Sequence, residues 1–249
     1  MPKGYLIFNS MESKVLISKP LTSINTHKGK ILLSDNISYG QRVYTTKGKF
    51  YFIVKPTYKD IILKIDRTTN TFNPKDIGHI LVNTSINKYS KVLEIGCGSG
   101  AFSLFLSHFL INPIISIDIN YKNLKNALNN ITKYGDNSCF SPILVNIYNL
   151  PFKIKEYFDA IIIDISEPYI YLDFILNTLK PGGDLVFLLP NIEQVKESRK
   201  IFASNGFVYF RTYEIIEREW VVREVGSRPS EKNIGHSMFL TFAKKISNP

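Results

Sequence analysis

The spacing of apolar residues changes near residue 70. Before that point they come in short runs, KVLIS, KILLS, QRVYTT, KFYFIV and DIILKI, which are β-branched or aromatic. Lys-Pro, His-Lys-Gly, Asp-Asn, Tyr-Gly and Lys-Gly separate them. Runs of that length between turn residues predict strands. Their recurrence at about ten to fifteen residues predicts a small barrel-like or sandwich-like β-module. The alternative is an extension of the main sheet, and the turn spacing favours a separate module over residues 1–70.

From residue 74 strands alternate with amphipathic helices. Pro74-Lys75-Asp76 opens a segment, DIGHILVNTSI, with helical spacing of its apolar positions. Then come KVLEIG as a strand, a glycine-rich turn, AFSLFLSHFL as a helix, IISIDI as a strand and NLKNALNNITKYG as a helix. SPILVNI, DAIIIDI and DLVFLLP read as further strands, with YLDFILNTLK and IEQVKESRKIFASNG as helices. Fully apolar strands between amphipathic helices predict a mostly parallel sheet covered on both faces. The tail, VYFRTYEIIEREWVVREV followed by SMFLTFAKK, predicts two longer strands pairing antiparallel at the sheet edge. The fold class is therefore α/β. Residues 71–249 form a doubly wound, Rossmann-like sheet of seven strands, behind the small N-terminal β-module.

Composition narrows the function. Hydrophobic residues make up 44% and charged residues 21%, which excludes wholesale disorder. The greasiest stretch, Phe102 to Ile119, is interrupted by Ser107, His108, Asn112 and Pro113 and is no membrane span. The opening MPKGYLIFNSMESK has only four consecutive apolar residues, too few for a signal-peptide core. The expectation is a soluble, cytoplasmic protein without a membrane partner. Two cysteines exclude a disulfide scaffold. Cys139 has no partner at metal-ligand spacing, so no metal is expected. The net charge of +10 is unevenly placed: residues 1–70 hold 12 Lys+Arg and 4 Asp+Glu, leaving only +2 for the rest. A basic module of that kind suits a polyanion. Lys28, Lys30, Lys47 and Lys49 flank its turns, where they would meet phosphates or simply serve solubility.

The strongest local signal is Glu94-Ile95-Gly96-Cys97-Gly98-Ser99-Gly100, directly after a strand and before a helix. Glycines at alternate positions let the backbone turn tightly and approach a ligand. The leading acid and the G-x-G-x-G spacing point to S-adenosylmethionine rather than a nicotinamide dinucleotide. Cys97 is read as a small spacer. Three further strand ends place polar groups on the same carboxyl edge, where open α/β sheets bind ligands. Asp118 could accept both ribose hydroxyl protons, Asn146 could meet adenine, and Asp164 opens Asp164-Ile165-Ser166-Glu167-Pro168.

These residues belong to a wider pattern. The chain resembles the class I S-adenosylmethionine-dependent methyltransferases, and among them the tRNA (adenine-N1)-methyltransferases that modify position 58 of the T loop. The resemblance covers nearly the whole chain. It rests on Pro74-Lys75-Asp76, on the glycine turn continuing as Ser99-Gly100-Ala101, and on Asp164-x-x-Glu167-Pro168. It continues through Leu179-Lys180-Pro181-Gly182-Gly183, Pro190-Asn191-Ile192-Glu193-Gln194-Val195, Arg228-Pro229 and Gly235-His236-Ser237-Met238-Phe239-Leu240. The resemblance implies a homotetramer acting on tRNA. It also implies that Glu94, Gly96, Gly98, Ser99, Gly100, Ala101, Phe102, Asp118, Asn146 and Asp164 hold the cofactor.

Departures are confined to a few positions. The family's Gly-His-Thr-Gly reads Gly235-His236-Ser237-Met238 here, and Asn146 replaces an acid often found at the third strand end. Asn73 and Leu188 stand where many members carry tyrosines, so the target base is positioned here by other groups.

Adenine N1 carries its own lone pair, so the expected mechanism needs alignment and exclusion of water rather than a general base. Asp164 is the expected catalytic group, accepting a hydrogen bond from the exocyclic N6 as the base becomes cationic. N1 lies on the pairing edge, so the base must leave its loop for a pocket. Trp220, Arg223, Arg228 and His236 are candidates to receive it, together with Pro168 of the Glu-Pro motif; packing or ion-pairing roles are the alternatives. His27, His79 and His108 are assigned no chemistry. Two rival functions remain: a non-catalytic RNA-binding subunit that keeps the fold, and a methyltransferase acting on another substrate.

Overall fold

Alternating burial builds the N-terminal module. The computed structural model describes residues 4–8, 14–17, 23–33, 37–69, 72–146, 154–231 and 235–247. Strands β1 (Tyr5–Phe8), β2 (Lys14–Ile17), β3 (Ser23–Thr26), β4 (Gly29–Leu32), β5 (Arg42–Tyr44) and β6 (Phe50–Val54) come first. Four of them form an antiparallel sheet in the order β2-β1-β6-β5, and β3 and β4 form a hairpin. In β6 Tyr51 and Ile53 are fully buried while Phe50 faces out, the period of two that a half-covered sheet requires. They join Ile7, Ile17, Ile24, Ile31 and Val43 in a separate small core. A bridge from Ile31 to Thr45 ties the hairpin to the sheet. Two of these strands, β1 and β3, are not among the runs singled out from sequence.

DIILKI is no strand: its first three residues close a helix and the rest is turn. Helix α1 spans Tyr58–Ile62. Thr57 caps it by accepting the Asp60 backbone N–H, and the Asp60 carboxylate accepts the Thr57 N–H at 3.0 Å. This reciprocal box satisfies two otherwise orphaned donors. Ile61, Ile62 and Ile65 share one helical side and pack into the large core of the following region.

That region is built on α2 (Pro74–Asn83), β7 (Val92–Ile95), α3 (Ala101–Ser107), β8 (Ile114–Asp118), α4 (Tyr121–Tyr134) and β9 (Phe140–Leu144). It continues with β10 (Phe158–Ile163), α5 (Leu172–Thr178), β11 (Leu179–Leu189), α6 (Ile192–Ala203) and β12 (Phe207–Glu214). The short strands β13 (Trp220–Val221) and β14 (Arg228–Pro229) precede β15 (Phe239–Lys245). Seven strands form one sheet in the order β12-β15-β11-β10-β7-β8-β9. Neighbours from β9 through β11 are parallel, and β15 is antiparallel to both β11 and β12. Strand order reverses at β7, so its carboxyl end opens between β8 and β10.

Successive side chains of β7 serve opposite faces. Leu93 and Ile95 pack in the core that contains α5 and α6, whereas Val92 packs in the core that contains α2, α3 and α4. Phe102 of α3 is fully buried in the latter and stacks on Phe72 at 5.1 Å. Burial of one such side chain contributes roughly 1.5–3 kcal/mol.

The tail differs from expectation. β12 stops at Glu214 rather than running to residue 225, and β15 is an interior strand. Apolar residues explain the placement: Leu240, Phe242 and Ala243 are buried within β15, as interior pairing demands. Residues 215–231 instead form an outlying arm whose β13–β14 pairing matches Trp220 with Pro229.

Candidate active site

A cleft of about 680 Å³ lies at the carboxyl ends of β7, β8 and β10. Its floor is the turn after β7. Gly96 has φ +89°, and a Cβ there would collide with the backbone carbonyl of Asp164. Gly100 has φ +78°, and its Cβ would sit 2.7 Å from that of Ala127. Both positions exclude any larger residue, one to let β10 pass and the other to seat α4.

Asp118 is held on one side of this floor. Its carboxylate accepts hydrogen bonds from the Gly98 N–H at 3.2 Å, the Asn120 N–H at 2.8 Å and the Asn123 side-chain amide at 3.1 Å. These fix its orientation and leave it lining the cleft beside Ile117, Ile119 and Val145. Asp164 faces it from the end of β10. Its backbone N–H is tied to Ile95 O at 2.8 Å, yet among the described residues its carboxyl receives no hydrogen bond. The side chain is partly open to the cleft but packed round elsewhere. Burial, then the charge of Asp76, pushes its pKa up to about 7.

Glu94 lies beneath the turn rather than in the cleft. It is fully buried on the α3 face, where Ser103 donates to it and Ser116 donates at 2.7 Å. Among the described residues its second oxygen has no partner. Burial raises its pKa to about 8 against the lowering effect of both serines, with the charges of Asp164 and Asp118 adding to the rise. The thiol of Cys97, buried within the turn, is likewise pushed up by burial and by Glu94.

The opposite wall comes from distant parts of the chain. Asp76, in the first turn of α2, is buried and lines the cleft. Lys75 Nζ lies 2.7 Å from one of its oxygens and donates to Ser237 Oγ at 2.6 Å, while Ser237 donates to the other at 3.2 Å. Next to it, His236 Nδ1 is 2.6 Å from Glu214 and Nε2 is 2.9 Å from the Pro190 carbonyl. Asn73, Leu188 and Met238 complete this side.

Of the residues expected from sequence, the cleft brings together Gly96, Gly98, Asp118, Asp164 and His236. Ser99, Gly100, Ala101 and Phe102 support it from behind. Ser99 Oγ accepts the Thr68 N–H at 3.1 Å, and Ala101 and Phe102 are core residues. Val145 lines the cleft where Asn146, beside it, is exposed. Pro168 is buried at the start of a 3-10 turn that brings Tyr171 to the rim. Trp220 is 54% exposed and Arg228 pairs with Glu231 at 2.8 Å, both on the arm and neither lining the cleft.

Sequence reasoning left out Arg67, Thr69, Asp76, Asn123 and Ser237, all of which line the cleft. Asp76 and Ser237 lay within quoted motifs, but their pairing requires contacts 161 residues apart. Asn123 was findable as the fifth residue after Asp118, one helical turn into α4. Arg67 and Thr69 carried no spacing signal. The segment 66–69 is stitched across the glycine turn by Asn123, Asn126 and Asn130.

Among the described residues there is no group of three His, Cys, Asp or Glu side chains able to hold a metal, and no helix long and apolar enough to cross a membrane.

The strand order, the glycine turn and the acid after β8 define the fold of S-adenosylmethionine-dependent methyltransferases. A Thermotoga maritima structure described as an S-adenosylmethionine-dependent O-methyltransferase matches 99% of this chain and 94% of its own, with TM-score 0.90 and 25% identity. The tRNA (m1A58) methyltransferase TrmI of Aquifex aeolicus matches over 99% and 98%, with TM-score 0.84 and 26% identity. Fold likeness alone does not separate these two acceptors. Sequence does: residues 49–237 match the family described as tRNA methyltransferase complex GCD14 subunit, and the chain belongs to that family. It is 30% identical, over 98% of its length and 95% of the relative's, to the tRNA (adenine(57)-N(1)/adenine(58)-N(1))-methyltransferase TrmI of Methanocaldococcus jannaschii.

Proposed function

We propose that this protein transfers a methyl group from S-adenosylmethionine to N1 of an adenine in tRNA, position 58 of the T loop. The observation that carries the reading is the pairing of two unlike carboxyls across one cleft. Asp118 is fixed by three donors, and the Asp164 carboxyl, which receives no hydrogen bond among the described residues, lines the space between.

The residues suit the cofactor. Asp118 has the acceptor geometry for vicinal ribose hydroxyls, Ile119 and Val145 offer apolar contact to a purine, and the glycine turn admits close backbone approach. The raised pKa of Asp164, which lines the cleft, means that its carboxylate form gains from a cation there. When bound, S-adenosylmethionine supplies an electrophilic methyl on a sulfonium. Gly96, Gly98, Asp118 and Asp164 are the groups that would hold it.

The chain's own residues then orient the acceptor. N1 needs no deprotonation, so the site aligns it and excludes water, an effect that can supply roughly 7–11 kcal/mol. Asp164 as carboxylate accepts from N6, and that bond strengthens as the base turns cationic. Charge-assisted bonds contribute about 1.5–3 kcal/mol.

The basic module is the proposed grip on tRNA. The turn at Lys28 and Lys30 lies against the turn at Lys47 and Lys49: Thr46 N–H donates to Lys30 O at 2.7 Å, and all four side chains are exposed. Arg223, Arg228 and Trp220 on the arm are exposed and are proposed as further contacts to the RNA. The reading includes a homotetramer acting in the cytoplasm, supported by the family resemblance and by exposed Ile216, Val222 and Val225 on the arm.

Incubation with labelled cofactor and unmodified tRNA, followed by nucleoside mass spectrometry and mapping, tests the reading. 1-Methyladenosine at position 58 is the expected product. The M. jannaschii relative is named for both 57 and 58, so a second product at 57 extends the reading. Methyl incorporation on another atom or nucleotide overturns it.

A further inference from the structure

Both ring nitrogens of His236 are tied, although the ring is part-exposed at the cleft. Nε2 faces a carbonyl oxygen at 2.9 Å, which can only accept. Nδ1 faces a carboxylate oxygen of Glu214 at 2.6 Å, which also accepts when ionised. A neutral imidazole has one N–H and cannot serve both; an imidazolium has two. The next residue, Ser237, is bound from the other side by Lys75 and Asp76 at the start of α2. The segment 235–238 is thus pinned to three elements: the end of β11 through Pro190, the end of β12 through Glu214, and α2 through Lys75 and Asp76.

We propose that His236 is a positioning residue: as an imidazolium donating to Glu214 and Pro190, it fixes the Ser237–Met238 wall against which the target adenine is presented. This rests on the proposed reaction and adds a residue to its acceptor side. The replacement of glycine by Met238 in the matched motif makes the wall bulkier and its placement more consequential. Ser237 keeps the hydroxyl of the usual threonine, so the Lys75–Asp76 link survives that change. The charged groups facing His236 are Glu214 from β12 and Lys75 from α2. The Glu214 hydrogen bond and the Pro190 carbonyl hold its pKa above the ordinary 6.5, and the Lys75 charge works against them. The ring also packs on Phe239 of β15 at 4.9 Å. Loss of the proton removes one of the two ties and frees the wall from β11 or β12.

The test uses the full chain, S-adenosylmethionine and transcribed tRNA across pH 6–9. kcat/KM for tRNA should fall along an alkaline limb that lies above pH 6.5. Glu214→Gln should move that limb to lower pH, and His236→Gln should abolish it while raising KM for tRNA about tenfold. The Kd of S-adenosylmethionine, measured by calorimetry, should stay within about twofold in both variants. A limb that stays in place in Glu214→Gln, a pH profile unchanged in His236→Gln, or a parallel loss of cofactor binding overturns the proposal. Ring titration of His236 by NMR needs no turnover. A pKa at or below 6.5, or one unmoved by Glu214→Gln, overturns the proposal even if the acceptor is not tRNA. A wild-type chain with the expected titration but no tRNA methylation overturns the reaction instead.

Discussion

The two sides of the cleft are assembled in opposite ways. The side proposed for the cofactor holds Gly96, Gly98, Asp118 and Asn123, which lie within thirty residues on consecutive strand–turn–helix units. Its geometry follows from glycine conformation and from side chains bonding to nearby backbone. The side proposed for the target base joins Lys75 and Asp76 to Ser237, with His236 reaching Pro190 and Glu214. It exists only once β15 is in place between β11 and β12. The first side is local chemistry, tolerant of change elsewhere. The second is tertiary closure and transmits disturbances from three elements. Asp164 stands between them and belongs to both.

That contrast is best broken at Asp164. Asp164→Ala should cut methyl transfer at least 10- to 150-fold, more if the base loses its orientation, with fold and cofactor binding kept. Near-normal single-turnover rates would refute the assignment. On the cofactor side alone, Asp118→Ala should weaken S-adenosylmethionine binding by roughly 10- to 150-fold in calorimetry, with tRNA affinity unchanged. A matching loss of tRNA affinity would show that the two sides are not separable. Replacing Lys28, Lys30, Lys47 and Lys49 together by Ala should weaken tRNA binding several-fold and flatten its dependence on salt, with the cofactor Kd untouched. An unchanged salt slope counts against the module as the electrostatic grip.

The smallest expected effect concerns pH and stability. Glu94 has a folded-state pKa of about 8 against an ordinary 4.5, and Asp164 one of about 7 against 3.8. Both are raised, so the folded state binds more protons than the unfolded chain between those values. Their contribution to stability is complete below about pH 4 and is lost as pH rises through about 7 to 8. Glu94→Gln removes one ionisation and should flatten the alkaline decline in Tm by roughly a few degrees. Calorimetric scans from pH 5 to 9 check this. A parallel, undiminished decline in the variant would mean that Glu94 does not titrate there.

Legibility followed the same division. Gly96, Gly98, Asp118 and Asp164 were readable because each marks the end of an apolar strand at a βα turn. The parallel sheet was readable for the same reason. Asp76 was seen only as part of a helix start, since nothing local says that Ser237 will come to its carboxylate. Trp220 and Arg228 drew attention as residue types that bind bases, yet the arm that bears them leaves the sheet after Glu214. DIILKI misled because its β-branched residues fit a strand, while the Thr57–Asp60 box starts a short helix whose end and following turn bury Ile61, Ile62 and Ile65. Short runs at module boundaries carry both patterns, and the neighbouring core decides.

β15 follows β11 and β12 along the chain yet lies between them in the sheet. A chain leaving the ribosome at about 5–20 residues per second completes β7 through β11 first. β11 and β12 then have no strand between them until residues 239–245 emerge. The proposed target wall, residues 235–238, therefore cannot be locked between those strands until β15 has been made.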